Sequence, residues 1–162
     1  MPTVGDVLIS ALAPESVLLD LAAPDAKSVI GALASCLAGR VPGADADELA
    51  RGLREREALG STAIGGGVAL PHCRSSQLES PIVAVARVPS GIAFGAADGV
   101  PVRLFVAVAA PDGSPGDHLR VLAQVARRLR QPDATPRLLG AETAEEVVAW
   151  LSGRSQDTKV TP

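Results

Sequence analysis

Two runs, 81–89 (PIVAVARVP) and 102–110 (VRLFVAVAA), most tightly limit what this chain can fold into. A strand with one wet face alternates apolar and polar residues. These two are apolar almost throughout, so each needs cover on both faces. Asp98-Gly99 supplies a turn signal between them. The chain must therefore provide helices for two sides of one sheet.

The segments around them are suited to that. From 24 to 40, Val29, Leu33, Cys36 and Leu37 follow a helical period that ends at Gly39, and Cys36 reads as a small core residue on that face. A second helix over 45–57 (DADELARGLRERE) has Leu49 and Leu53 four apart. Ser114-Pro115-Gly116-Asp117 reads as a helix start: a capping Ser, Pro at the first helical position and an acid three residues after the cap. Behind it Leu119, Leu122, Ala126 and Leu129 are expected to form the apolar face, with further helices over 132–139 and 143–151. Residues 16–21 (SVLLDL) and 67–70 read as shorter strands. The fold class expected is α/β (α+β): a single domain over 1–151, with a central mixed β-sheet of about five strands flanked by helices on both faces. Residues 152–162 read as a polar, disordered tail with no core to join.

Hydrophobic residues make up 47% of the 162, but aromatics only 2%, so the core must be aliphatic. The same scarcity removes stacking platforms for bases. With 15 basic against 18 acidic residues, a net charge of −3, nucleic acid is not expected as a partner. No Lys or Arg precedes Lys27, and Asp6, Pro14 and Glu15 interrupt the N-terminal apolar residues, so no signal peptide is read there. The longest uncharged, mostly apolar run, 29–39, is well short of the ~18 residues of a membrane span. Cys36 and Cys73 form no CxxC pair, which favours a reducing cytoplasm.

Candidate chemistry concentrates in residues 60–74, GSTAIGGGVALPHCR. Gly65-Gly66-Gly67 is not followed by GK[ST], and the third glycine of GxGxxG would fall at Leu70, so nucleotide binding is not indicated. Taken alone, the loop reads as a turn. His72 follows Pro71 at a strand end, where ligands of α/β sheets tend to bind. A neutral imidazole, with a reference pKa of about 6.5, is a good nucleophile near neutrality. His118 would lie in the first turn of its helix, where the dipole disfavours its protonation and suits an anion. Cys73 adjoins His72, but strand neighbours point to opposite faces, which argues against a thiol nucleophile and base pair. No ligand spacing relates the histidines to Asp98, Asp112 or Asp117, so no metal is expected. Arg51, Arg54, Glu55, Arg56 and Glu57 read as a solvated helix face, from which one arginine at the helix end could reach an anion.

Arg56-Glu57-Ala58-Leu59-Gly60-Ser61-Thr62, the glycines, and Val68-Ala69-Leu70-Pro71-His72 together resemble the signature of the type 2 enzyme IIA domain of the bacterial phosphoenolpyruvate-dependent sugar phosphotransferase system. That is the fructose/mannitol group that includes the nitrogen-regulatory proteins. Residues 16–21, 91–102 (GIAFGAADGVPV) and His118-Leu119 with Leu122-Ala123 are similar to other parts of the family, so the resemblance spans roughly 5–151. It implies that His72 is phosphorylated, that His118 and Arg56 flank the phosphoryl group, and that Gly65, Gly66, Gly67 and Thr62 help bind it. It also implies a histidine-containing phosphocarrier protein as donor and a cysteine of a IIB protein as acceptor. Neither cofactor nor metal is called for, because donor and product are phosphoramidates of similar potential. A regulatory kinase or transporter is the alternative partner, in a role where phosphorylation switches contacts. Cys73 departs from the family's usual small residue, often glycine, and would place an oxidation-sensitive thiol beside the site.

Overall fold

The computed structural model describes Leu8 and residues 10–153. The tail expected over 152–162 lies, from 154 onward, outside the described residues. A six-stranded sheet runs in the order β1-β5-β6-β3-β2, with β4 also paired to β6. The strands are β1 (Val17–Leu18), β2 (Ala63–Gly65), β3 (Val68–Ala69), β4 (His72–Ser75), β5 (Ile82–Ile92) and β6 (Val102–Pro111). β5 and β6, the two apolar runs, pair antiparallel at the centre, while β1 lies parallel to β5 and both β3 and β4 lie parallel to β6. The mixed sheet read from the sequence is the sheet found.

Both faces of the central pair are covered, each by different chemistry. Ala84, Ala86, Ala107 and Ala109 face α1 (Ala26–Ala38) and α2 (Ala46–Ala58), joining Leu33, Leu37, Leu49 and Leu53 in one core. Small strand residues there leave room for long leucines on the helices. Val83, Val85, Val106 and Val108 face the other way, into a core shared with α3 (Pro115–Leu129), α4 (Ala134–Gly140) and α5 (Ala144–Leu151). Caps set the helix starts. Asp25 Oδ1 accepts from the Ser28 N–H at 2.8 Å, Asp45 Oδ1 from the Asp47 N–H at 2.9 Å, and Thr143 Oγ1 from the Glu146 N–H at 3.1 Å.

Four sequence expectations need correction. The first strand shrinks from 16–21 to Val17–Leu18, because Pro14–Ser16 form a 3-10 turn and Asp20 takes a left-handed φ of 53° that ends the ladder. Ser114 occupies the cap position of α3 without a side-chain cap bond, since its backbone (φ −132°, ψ 64°) leaves the extended region a cap needs. The buried face of α3 is His118, Val121, Gln124, Val125 and Leu129, which rotates Leu119 outward to 66% exposure. The strand expected over 67–70 is split: β3 ends at Ala69 and pairing with β6 resumes at His72. Pro71 has no N–H to give the ladder, although its carbonyl still accepts from the Val108 N–H at 2.9 Å.

Arg87, the one charged residue of β5, is only 8% exposed. Its guanidinium donates to the carbonyls of Leu138 (3.1 Å), Leu139 (3.0 Å) and Ala141 (2.7 Å), and to Asp20 at 3.1 Å. It thus satisfies the C-terminal carbonyls of α4 and ties that helix to the sheet. Arg87→Met should lower stability by about 2–4 kcal/mol, read from the urea midpoint, because three inward carbonyls lose their donor. Asp20→Asn should cost less than about 1 kcal/mol, since the Asp20 side chain is 70% exposed. The reverse ranking would contradict this role for Arg87.

Candidate active site

His72 opens β4 just after the Pro71 break and stands opposite Val108 of β6. Its Nδ1 lies 2.9 Å from the Leu70 carbonyl oxygen. A carbonyl can only accept, so Nδ1 carries the proton and Nε2 keeps its lone pair. Arg56, in the last turn of α2, directs its Nε–H at that Nε2 from 3.3 Å. The same guanidinium donates through a terminal nitrogen to the Gly60 carbonyl at 2.9 Å, which fixes its reach.

His118 comes from the first turn of α3, and its ring centroid is 5.5 Å from that of His72, with the planes tilted by 46°. It is 8% exposed, and its Nδ1 is buried without a hydrogen-bond partner among the described residues. Burial holds its pKa below the ordinary 6.5, and the neighbouring His72 and Arg74 act in the same direction, each disfavouring a second positive charge beside it. The sequence pointed to the helix dipole for this effect; desolvation leads instead.

Arg56, His72 and His118 are therefore brought together from three separate elements. The glycines are not. Gly65, Gly66 and Gly67, with φ of +95°, +66° and +81°, form the hairpin turn between β2 and β3. The Gly67 carbonyl accepts from the N–H groups of Arg103 and Leu104, whereas His72 pairs with Val108. Five strand positions at ~3.3 Å each place the turn about 16 Å from the histidine level. The Gly66 N–H is engaged besides, donating to Asp98 Oδ2 at 2.9 Å. That bond, with one from the Val100 N–H, holds the Asp98 carboxyl below its ordinary range.

Thr62 does lie at the site's edge, but its donors are spent. Its N–H gives to Glu57 Oε2 at 2.8 Å and its hydroxyl to Glu57 Oε1 at 2.6 Å. Neither is free for a phosphate. Cys73 points away from His72, as strand alternation requires, into the core beside Gly52, where a Cβ would meet the Cys73 Cβ at 3.2 Å. Burial, and then the nearby Asp112 carboxylate, push its thiol up to about 11, so the reactive thiolate is suppressed rather than exposed to oxidation.

Sequence reading missed three features. Glu57 was grouped with solvated charges although both its oxygens are bonded. Leu119 was placed in the core, yet it is exposed beside His72 together with Leu59 (85%) and Ile64 (38%). Arg127 and Arg130 line the same cleft as Arg56 and His72, with no carboxylate among the residues that line it. Only the helical spacing of Ala123, Arg127 and Arg130 could have signalled this edge of α3.

His118 has a clear pH consequence. Its folded pKa lies below its unfolded value, so the unfolded chain binds the proton first and stability falls as pH drops below about 6.5 through the folded pKa. Denaturation between pH 5 and 7 should show that slope, His118→Gln should flatten it, and an NMR titration should place the His118 midpoint below 6.5; a midpoint above 6.5 would contradict the burial account.

Comparison with known proteins shows the family of the chain. The profile of the family described as "Phosphoenolpyruvate-dependent sugar phosphotransferase system, EIIA 2" matches residues 10–153. A nitrogen regulatory protein of Pseudomonas aeruginosa is 38% identical over 83% of this chain and 87% of its own length. A fructose-specific EIIA component of Haloferax volcanii is 36% identical over 68% of this chain and 70% of its own. Among solved structures, the nitrogen regulatory protein IIA-Ntr of Neisseria meningitidis superposes with a TM-score of 0.84 at 30% identity, covering 89% of this chain and 98% of that one. The chain whose two histidines meet beside Arg56 belongs to the type 2 enzyme IIA family of the phosphoenolpyruvate-dependent sugar phosphotransferase system.

Proposed function

We propose that this protein accepts a phosphoryl group on Nε2 of His72 from the phosphohistidine of a cytoplasmic phosphocarrier protein and passes it to a cysteine of a IIB protein. The observation that carries the reading is the 2.9 Å contact of His72 Nδ1 with the Leu70 carbonyl oxygen, which requires the ring proton on Nδ1. With Nδ1–H held by the Leu70 carbonyl, the Nε2 lone pair is turned toward Arg56 rather than into the fold. In the transfer that lone pair forms the new N–P bond as the donor's N–P bond breaks, and the donor leaves as an imidazole. The ring of His72 gains positive character, which the Nδ1–H bond to Leu70 stabilises. The loose transition state spreads charge over three equatorial oxygens, so catalysis is positioning and electrostatics.

Arg56 supplies the cation. Once Nε2 bears phosphorus, its Nε–H, 3.3 Å from that nitrogen, turns to a phosphoryl oxygen. His118, neutral above its lowered pKa, offers an N–H without placing a competing positive charge at the nucleophile. The rim supports a protein as the partner. Leu59, Ile64 and Leu119 are exposed around His72, and apolar residues of that size surrounded by arginines form the centre of an association surface.

A second reading has a specific observation behind it: relatives at 38% and 36% identity, and a solved neighbour at 30%, are nitrogen regulatory proteins. In that role the same phosphorylation places about two negative charges on an apolar rim and switches contacts with a regulatory kinase or transporter. Both readings share the chemistry at His72 and differ in what receives the group or senses it.

Incubation with phosphoenolpyruvate, enzyme I and the phosphocarrier protein should add one acid-labile phosphate, about 80 Da by intact mass, absent from His72→Ala. Arg56→Ala should slow its appearance by about 10²-fold. An unmodified wild type, with donors shown to be active, would overturn the proposal. Discharge by IIB would then mark the relay role, while a phosphate that persists but alters binding to a kinase or transporter would mark the regulatory one.

A further inference from the structure

We infer that Glu57 is a positioning residue for His72, acting through a relay of three hydrogen-bonded links rather than by touching the phosphoryl group. The inference rests on His72 being the phosphorylated residue but reaches a different part of the molecule. The Glu57 carboxylate accepts both donors of Thr62, the N–H at 2.8 Å and the hydroxyl at 2.6 Å. Thr62 is 6% exposed, and its carbonyl accepts the Leu70 N–H at 3.0 Å. The Leu70 carbonyl in turn accepts Nδ1–H of His72 at 2.9 Å. A displacement of the turn at one end therefore changes the tautomer and aim of the imidazole at the other.

Two further features make this relay specific. Between Ala69, the last residue of β3, and His72, the first of β4, Leu70 and Pro71 belong to neither strand. Leu70 thus has no ladder bond from β6 to hold its plane; the Thr62 carbonyl holds it. Arg56 grips the same turn from its other side, through the Gly60 carbonyl at 2.9 Å. Adjacent residues of α2 thus clamp residues 60–62: Arg56 aims a donor at Nε2, and Glu57 sets the acceptor that keeps the proton on Nδ1. A charged acceptor with two short bonds is the strong form of such a clamp.

The readout is the tautomer of His72 by ¹⁵N NMR on the unphosphorylated protein, beside the rate of phosphorylation from the phosphocarrier protein. In the wild type Nδ1 should be the protonated nitrogen. Glu57→Gln replaces one of the two acceptor oxygens that Thr62 uses with a donor, and His72 should shift toward the Nε2-protonated form while phosphorylation slows by about 10–100-fold. Thr62→Val, which removes only the hydroxyl link, should shift the spectrum in the same direction by less, and it serves as the test if Glu57→Gln does not fold. A folded Glu57→Gln or Thr62→Val with the wild-type tautomer overturns the relay, whatever its rate. If the wild type takes no phosphate but the variants still change the tautomer, the positioning role stands and the phosphoryl-transfer reading falls.

Discussion

Strand β6 is the constraint on which the rest of this molecule depends. It pairs with β5 on one side and with both β3 and β4 on the other, and its side chains enter both cores. Its C-terminal half also places the chemistry. Val108 sets the register of His72, and the chain leaves the strand at Pro111 to begin α3 at Pro115, one turn from His118. Two histidines distant in sequence therefore come within 5.5 Å because one buried strand fixes both. Since β6 is buried on both faces, packing fixes where the two histidines enter the site, and the site's own hydrogen bonds then orient the His72 ring.

The site is then made by an interruption. Register to β6 is kept from Ala69 opposite Phe105 to His72 opposite Val108, but Leu70 and Pro71 between them belong to neither strand. Pro71 keeps its carbonyl bonded to the Val108 N–H of β6, while Leu70 gives its N–H to the Thr62 carbonyl and its own carbonyl takes Nδ1–H of His72. The proton held there makes Nε2 the nucleophile, without a carboxylate partner that would lend the imidazole negative character. Keeping His118 neutral by burial leaves the positive charge at Nε2 to Arg56, whose Nε–H lies 3.3 Å away.

How much could be read beforehand depends on the range of the interaction. The runs at 81–89 and 102–110 declared a doubly covered sheet because continuous apolarity has one structural meaning at that length. The residue string from Arg56 to His72 carried the family resemblance, and with it the three residues that the fold brings together. The glycines misled, because composition shows that a backbone bends but not where along β6 the bend falls; register places it at Arg103, well below His72. Glu57 was invisible for a related reason. Its partner, Thr62, lies just past the helix end, where helical periodicity no longer predicts contacts. Leu119 was misassigned because His118 and Gln124 take buried positions that a hydrophobic pattern gives to leucine.

Which ring nitrogen bears the phosphorus tests the account most directly. Protein labelled with ¹⁵N in histidine, phosphorylated by the carrier protein and kept at alkaline pH, would be read by ³¹P–¹⁵N coupling. The geometry predicts phosphorus on Nε2 of His72, with the Nδ1 proton still present and bonded to the Leu70 carbonyl. Phosphorus on Nδ1, or on His118, would contradict it.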